Sequence, residues 1–163
     1  MRMTPETLAA PIQPVEPSYR NGLRLAAAAF WVPASLGALV VDRLILREFP
    51  FAGLLPALVV LVALGAIVIA PNRIYRRLGY SVDGDFLRVV RGWLFHSDTI
   101  VPFVRVQHID VNRGPLDKMF DTASLVVHTA GTHNSIVTLP GLLPDRAAEL
   151  RELIRGSIII DVE

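Results

Sequence analysis

Between Phe49 and Ala70 the chain runs 22 residues, FPFAGLLPALVVLVALGAIVIA, without one charged side chain. No feature of the sequence restricts the fold more. At the centre of a membrane helix Leu, Ile, Phe and Val each favour insertion by about 0.3–0.6 kcal/mol, and this run carries 13 of them. A helix of that length with no polar face has no stable place on a water-soluble domain. It reads as a transmembrane span.

A second apolar run precedes it closely. Leu25 to Val41, LAAAAFWVPASLGALVV, is uncharged over 17 residues, about 25 Å of helix. Leu44, Ile45 and Leu46 lengthen it to a full crossing if Arg43 snorkels to the interface. Pro33 lies inside this span, where neighbouring helices compensate for the missing backbone bond. Arg47 and Glu48 centre the few residues between the runs, which fold as a helical hairpin with both flanks on one side. A cleaved signal peptide is disfavoured by the Pro-rich leader and by the second span close behind.

The division that follows is a Pro-rich tail over residues 1–22, a transmembrane hairpin over 23–71 with spans at about 25–46 and 49–70, and a soluble domain over 72–163. In the tail, Pro5, Pro11, Pro14 and Pro17 break regular structure. Arg20 and Arg24 precede the first span, and Arg73, Arg76 and Arg77 follow the second. Under the positive-inside rule these arginines put both flanks, and with them the N- and C-termini, on the cytoplasmic side.

Past Pro71 the apolar period changes from helix to strand. Short β-rich stretches at 74–82, 86–91, from about 93, 104–111, 123–129 and 135–139 alternate with turn signals such as Asp83-Gly84 and Asn112-Arg113-Gly114-Pro115. Leu116 to Phe120 fits one helical turn. Leu143, Ala147, Leu150 and Ile154 then recur at helical spacing, with Pro144 and Asp145 as a start and Gly156 as a stop. Ile158, Ile159 and Ile160 read as a short edge strand. The predicted fold class is α+β: a two-helix transmembrane hairpin, then an antiparallel barrel or sandwich capped by one helix.

The stretch Thr99 to Gly131, TIVPFVRVQHIDVNRGPLDKMFDTASLVVHTAG, resembles the core signature of bacterial pleckstrin-homology-like domains of the YdbS-like, membrane-flanked type. The matching elements are Val101-Pro102, then Arg105-Val106-Gln107-His108-Ile109, then Gly114-Pro115-Leu116 with Phe120, then Thr129-Ala130-Gly131. With the hairpin included, the resemblance spans about residues 20–156. Asp121 departs from it, standing where a glycine commonly follows the Phe; Asp tolerates left-handed backbone better than most residues. The resemblance implies a pleckstrin-like fold, residence in a bacterial inner membrane and a role in assembly or ligand binding. It carries no catalytic residues.

The chemistry-bearing residues point the same way. With no cysteine, thiolate catalysis and Cys-ligated metal are excluded. His108 and Asp110 share one strand face but lack the further ligands a metal site needs. His96-Ser97-Asp98 holds the residue types of a hydrolase triad, yet adjacent strand residues point to opposite faces. No phosphate-cradling glycine loop is present. The first hairpin loop, Val82-Asp83-Gly84-Asp85, is acidic and would repel an inositol phosphate. A net charge of +1 does not suit nucleic-acid binding. Ala34 and Ala38 have the small-xxx-small spacing of packed membrane helices. We therefore expect a non-enzymatic membrane protein without cofactor or metal, partnered by the lipid bilayer and by a second copy or a related PH-domain membrane protein. The alternative is a membrane-anchored sensor of lipid or a small ligand.

Overall fold

The computed structural model describes residues 11–93, 95–130 and 136–160. Helix α1, Pro17–Leu44, passes through Pro33 without interruption, and α2, Leu54–Leu64, returns beside it. The hairpin turn occupies 45–53. Pro50 and Pro56 set its length, since Pro56 falls in the first turn of α2, where backbone N–H groups have no intrahelical acceptor. The second helix thus starts five residues later than the uncharged run. Asp42 closes the turn: its Oδ1 accepts a 2.7 Å hydrogen bond from Gly53 N–H at the head of α2, and its side chain is buried. Gly53 adopts φ +88, which a residue with a Cβ would resist.

A π-helical turn over Gly65–Ile69 joins α2 to α3, Ala70–Arg76. Pro71 explains it, because its ring lacks an N–H and crowds the carbonyl four residues back; a wider turn relieves both. The helix Pro17–Leu44 and the continuous stretch Leu54–Arg76 are each long and apolar enough to cross a membrane. Only 6% and 17% of their most apolar windows are buried. Neither is therefore the core helix of a soluble protein.

The soluble part contains β2 (Gly79–Asp83), β3 (Phe86–Gly92), β4 (His96–Pro102), β5 (Val106–Asn112), the short helix α4 (Pro115–Met119), β6 (Ala123–Thr129), β7 (Ile136–Leu142) and α5 (Pro144–Ile160). A two-residue strand, β1 (Gln13–Pro14), pairs antiparallel with β2. The sheets are β1-β2-β3-β4 and β5-β6-β7, every pairing antiparallel. They face each other as an open sandwich rather than a closed barrel. Leu87, Val89 and Phe103 from one side meet Leu125, Val127 and Leu139 from the other. Helix α5 closes the core with Ala147, Leu150 and Ile154, all at most 1% exposed. Each of the two larger side chains contributes about 1.5–3 kcal/mol by leaving water.

Three readings of the sequence are corrected. The tail is not without regular structure: Gln13 pairs with Tyr80, Val15 is buried in the core, and Glu16 N–H donates to Gly141 O on β7 at 2.8 Å. This segment bridges the two sheets. Ile74 and Tyr75 belong to α3, not to a strand, because backbone leaving the membrane is already hydrogen-bonded within its helix. Ile158–Ile160 continue α5 past Gly156 instead of forming an edge strand. Once a helix is long, each added residue gains a backbone bond, and a glycine costing about 1 kcal/mol does not stop it without a left-handed cap.

Candidate functional site

The five flanking arginines divide into two groups. Arg20 and Arg24 lie one turn apart on α1 and face α3. Arg24 Nη2 donates to Asn72 Oδ1 at 3.1 Å, and the Arg20 guanidinium lies 5.6 Å from the centroid of the Tyr75 ring. The Nε atoms of both arginines are buried without a hydrogen-bond partner; Arg24 is held through Nη2 and Arg20 packs over the Tyr75 ring. Arg73, Arg76 and Arg77 are exposed. Arg73 and Arg76 can meet anionic headgroups, at about 1 kcal/mol each near such a surface, while Arg77 Nη1 donates to Trp93 O at 3.2 Å. Asn72, the partner of Arg24, has no signature in the sequence.

Most motif residues build the joint between this base and the sandwich. Gly114 precedes α4, Pro115 opens it, and Leu116 O accepts from Phe120 N–H at 3.0 Å. Asp117 binds both ends of the turn: Oδ2 accepts from Gly114 N–H and Oδ1 from the Thr122 hydroxyl, each at 2.9 Å. Asp121 takes φ +50, the left-handed backbone expected of it, and pairs with Arg113 Nη2 at 2.9 Å. The result aims Phe120 at Gly22 of α1. Pro102 ends β4 and, with φ −66, leads into a single 3-10 turn, Phe103–Arg105. Arg105 O there accepts from Ala130 N–H at 2.9 Å. Gly131, the last motif residue, lies outside the described residues, as does His133.

Gln107 has a different position. Val106 pairs with Thr129 and His108 with His128, adjacent residues of β6, so Gln107 is the extra residue of a β-bulge. Bulges re-aim a side chain and bend the strand. β5 is the edge of its sheet, and there it lines a groove of about 530 Å³ with Val106, Gln107, His108 and Ile109 on one wall and Arg151 and Arg155 of α5 on the other. The two arginines, one helical turn apart and both exposed, put two guanidinium groups on that wall, with Arg151 Nε also paired to Glu152 Oε1 at 3.1 Å. Their i,i+4 spacing on the polar face of the last helix was the available signal.

His108, Asp110 and His128 form a compact cluster. His108 Nε2 lies 2.8 Å from Asp110 Oδ1, and His128 Nε2 lies 3.5 Å from Asp110 Oδ2 across the β5–β6 pair. The carboxylate is thus in direct contact with an imidazole. Among the described residues no group of three His, Cys, Asp or Glu is arranged to hold a metal ion. His96, Ser97 and Asp98 lie along β4, all exposed, and Asp98 is engaged by Arg88 of β3, whose Nε donates to Oδ1 at 2.9 Å. That hydrogen bond is the chief cause holding the Asp98 carboxyl below the usual carboxylate range.

Comparison with known proteins agrees with this architecture. The model of the bacterial PH domain family matches residues 27–158. The chain is 33% identical over 103 residues to the transmembrane protein YdbS of Bacillus subtilis (strain 168), an alignment covering 63% of each chain. It thus spans somewhat under two thirds of that relative's length. No solved structure matches. A match over most of the chain, on a sandwich that follows a membrane hairpin, makes this protein a transmembrane member of the bacterial PH domain family.

Proposed function

We propose that this is a non-enzymatic protein of the bacterial plasma membrane whose cytoplasmic PH-like domain binds an extended, acidic segment along the β5 edge. The segment belongs to a second copy of the chain or to a related PH-domain membrane protein. The observation that carries the reading is the groove between β5 and α5, with the Gln107 bulge in one wall and Arg151 and Arg155 in the other. A sheet edge offers unpaired N–H and C=O groups to an added strand, and an adjoining helix supplies side-chain contacts. The guanidinium groups select carboxylates. Orientation follows from charge: Arg20, Arg24, Arg73, Arg76 and Arg77 flank the hairpin, against Arg43 and Arg47 at its turn.

The test is Arg151→Glu with Arg155→Glu in the full chain, extracted in mild detergent and captured with a differently tagged copy or with its membrane neighbours. The reading expects the associated chain to be lost, while Ser97→Glu on exposed β4 leaves it in place. Association unchanged by the double reversal would contradict it.

A small-ligand reading is favoured by one feature. A cavity of about 370 Å³ beside β1 is lined by Gln13, Glu16, Tyr80 and Arg146. Arg146 is tethered there, its Nε donating to Tyr80 Oη at 3.3 Å and its Nη1 to Glu149 at 3.0 Å. A thermal shift with an anionic metabolite that disappears in Arg146→Ala would favour this reading over the groove.

A further inference from the structure

Among the described residues five aromatic side chains are strongly exposed: Phe30, Phe49, Phe51, Trp93 and Phe95. The first three belong to the membrane hairpin. Trp93 and Phe95 do not; they sit in the turn between β3 and β4, 47% and 87% exposed. A soluble domain gains nothing by presenting two such rings to water.

The location of that turn supplies a reason. β2 begins at Gly79, directly after α3, and Gly79 pairs with Val90 of β3. β3 then runs two residues further, to Gly92, before the turn, so the tip projects past the start of β2, back toward α3. A hydrogen bond fixes it there: Arg77 Nη1 donates to Trp93 O at 3.2 Å. The Arg77 side chain also packs over Gly92, where an added Cβ would stand 3.5 Å from its Cδ. Arg77 caps α3, and it follows the continuous helix Leu54–Arg76 about 34 Å along the axis from Leu54, which leaves it about 4 Å outside a hydrocarbon core of about 30 Å. The headgroup region of one leaflet extends about 5–8 Å beyond the hydrocarbon core. The tip is therefore at headgroup level, with Arg73, Arg76 and Arg77 beside it. The opposite turn of the same sheet, Asp83-Gly84-Asp85, is acidic and apolar only at its edges. One end of the β2–β3–β4 sheet is thus built for anionic lipid and the other against it.

We propose that the β3–β4 tip is a third membrane contact, with Trp93 and Phe95 seated at the headgroup–acyl boundary of the leaflet from which α3 emerges. Amphipathic and aromatic rings favour that boundary. A third contact off the hairpin axis braces the sandwich against the leaflet and, with it, sets the direction in which the β5–α5 groove faces. The occupant is the bilayer itself.

The chain has two tryptophans, so Trp31→Phe leaves Trp93 as the sole reporter. The full-length variant is reconstituted in phosphatidylcholine–phosphatidylglycerol vesicles carrying acyl chains brominated either near the headgroup or near the methyl end. The proposal expects Trp93 emission to be quenched several-fold more by the shallow bromines than by the deep ones, and to be shielded from aqueous acrylamide. Full acrylamide quenching without bromine quenching would place the ring in water. Shielding from both would mean that protein covers it. Either result overturns the proposal. Because the chain has no cysteine, Phe95→Cys with a spin label gives an independent reading in the Trp31-containing protein: greater collision with oxygen than with a water-soluble nickel chelate is expected, and the reverse would be equally fatal.

Discussion

Gly22 on α1 lies flush against the ring of Phe120, where a Cβ would stand 3.4 Å from Cδ2. Through this contact the most recognisable motif of the soluble domain grips a helix that crosses the membrane. The motif's conformation therefore serves attachment: α4 holds Phe120 out, Asp121 turns the chain back, and α1 carries the contact into the bilayer. A smaller residue than Gly22 does not exist, so the fit can be probed only by enlargement.

Gly22→Ala is expected to be neutral or stabilising by up to about 1 kcal/mol, since the methyl meets ordinary van der Waals distance and alanine is the better helix former. Gly22→Leu displaces the Phe120 ring and costs about 1–3 kcal/mol. Phe120→Ala costs about 2 kcal/mol, below the value for a fully buried ring because this one is half-buried. Thermal unfolding of the detergent-solubilised protein reads all three.

Gly141 carries two constraints at once. Its φ is +76, and an added Cβ would lie 2.7 Å from Tyr19 Cγ. Gly141→Ala therefore costs at least about 2 kcal/mol, part backbone and part collision. Tyr19 Cβ would itself stand 2.9 Å away, so it is Tyr19→Gly that removes the collision and leaves the backbone strain. A double-mutant cycle should show positive coupling between the two.

Asp121→Gly relieves left-handed strain worth about 1 kcal/mol while giving up the exposed pair with Arg113. Little net change in melting temperature is expected. Asp121→Val, with a branched Cβ at the same φ, is expected to be distinctly worse than either. Denaturant midpoints of the three proteins give the order.

Acid stability has a local component on β4. The Asp98 carboxyl is held below its ordinary range, chiefly by the hydrogen bond from Arg88. Its contribution is therefore complete above the unfolded value near pH 4 and is lost as pH falls through the lower folded value. Asp98→Asn should flatten stability against pH below about pH 4 and leave the slope at neutral pH unaltered. Melting curves between pH 3 and 7 check it.

How much of this was legible depends on the range over which each feature is encoded. The two spans and the sandwich strands are written in local periodicity, and the left-handed turn at Asp121 in a single residue's tolerance. The pairing of Gln13 with Tyr80, the bond from Arg24 to Asn72 and the hydrogen bond from Glu16 to Gly141 join residues far apart in the chain. None leaves a periodic trace. Ile74, Tyr75 and Ile158–Ile160 misled because β-branched and aromatic residues favour strands, and an existing helix overrode that preference. Gln107 was singled out as a motif residue, but its role as a bulge depends on the register of β5 against β6, which local pattern does not reveal.

The account stands most directly on what the β5–α5 groove touches in the living membrane. A photocrosslinking residue placed at Gln107 in the full chain, with Ser97 as the outward-facing control, is activated in intact cells and the products are identified by mass spectrometry. The account predicts a crosslink from Gln107 to an acidic segment of a second copy or of another PH-domain membrane protein, abolished by reversing Arg151 and Arg155 and absent from Ser97. An uncrosslinked chain at both positions, or the same products from each, would contradict it.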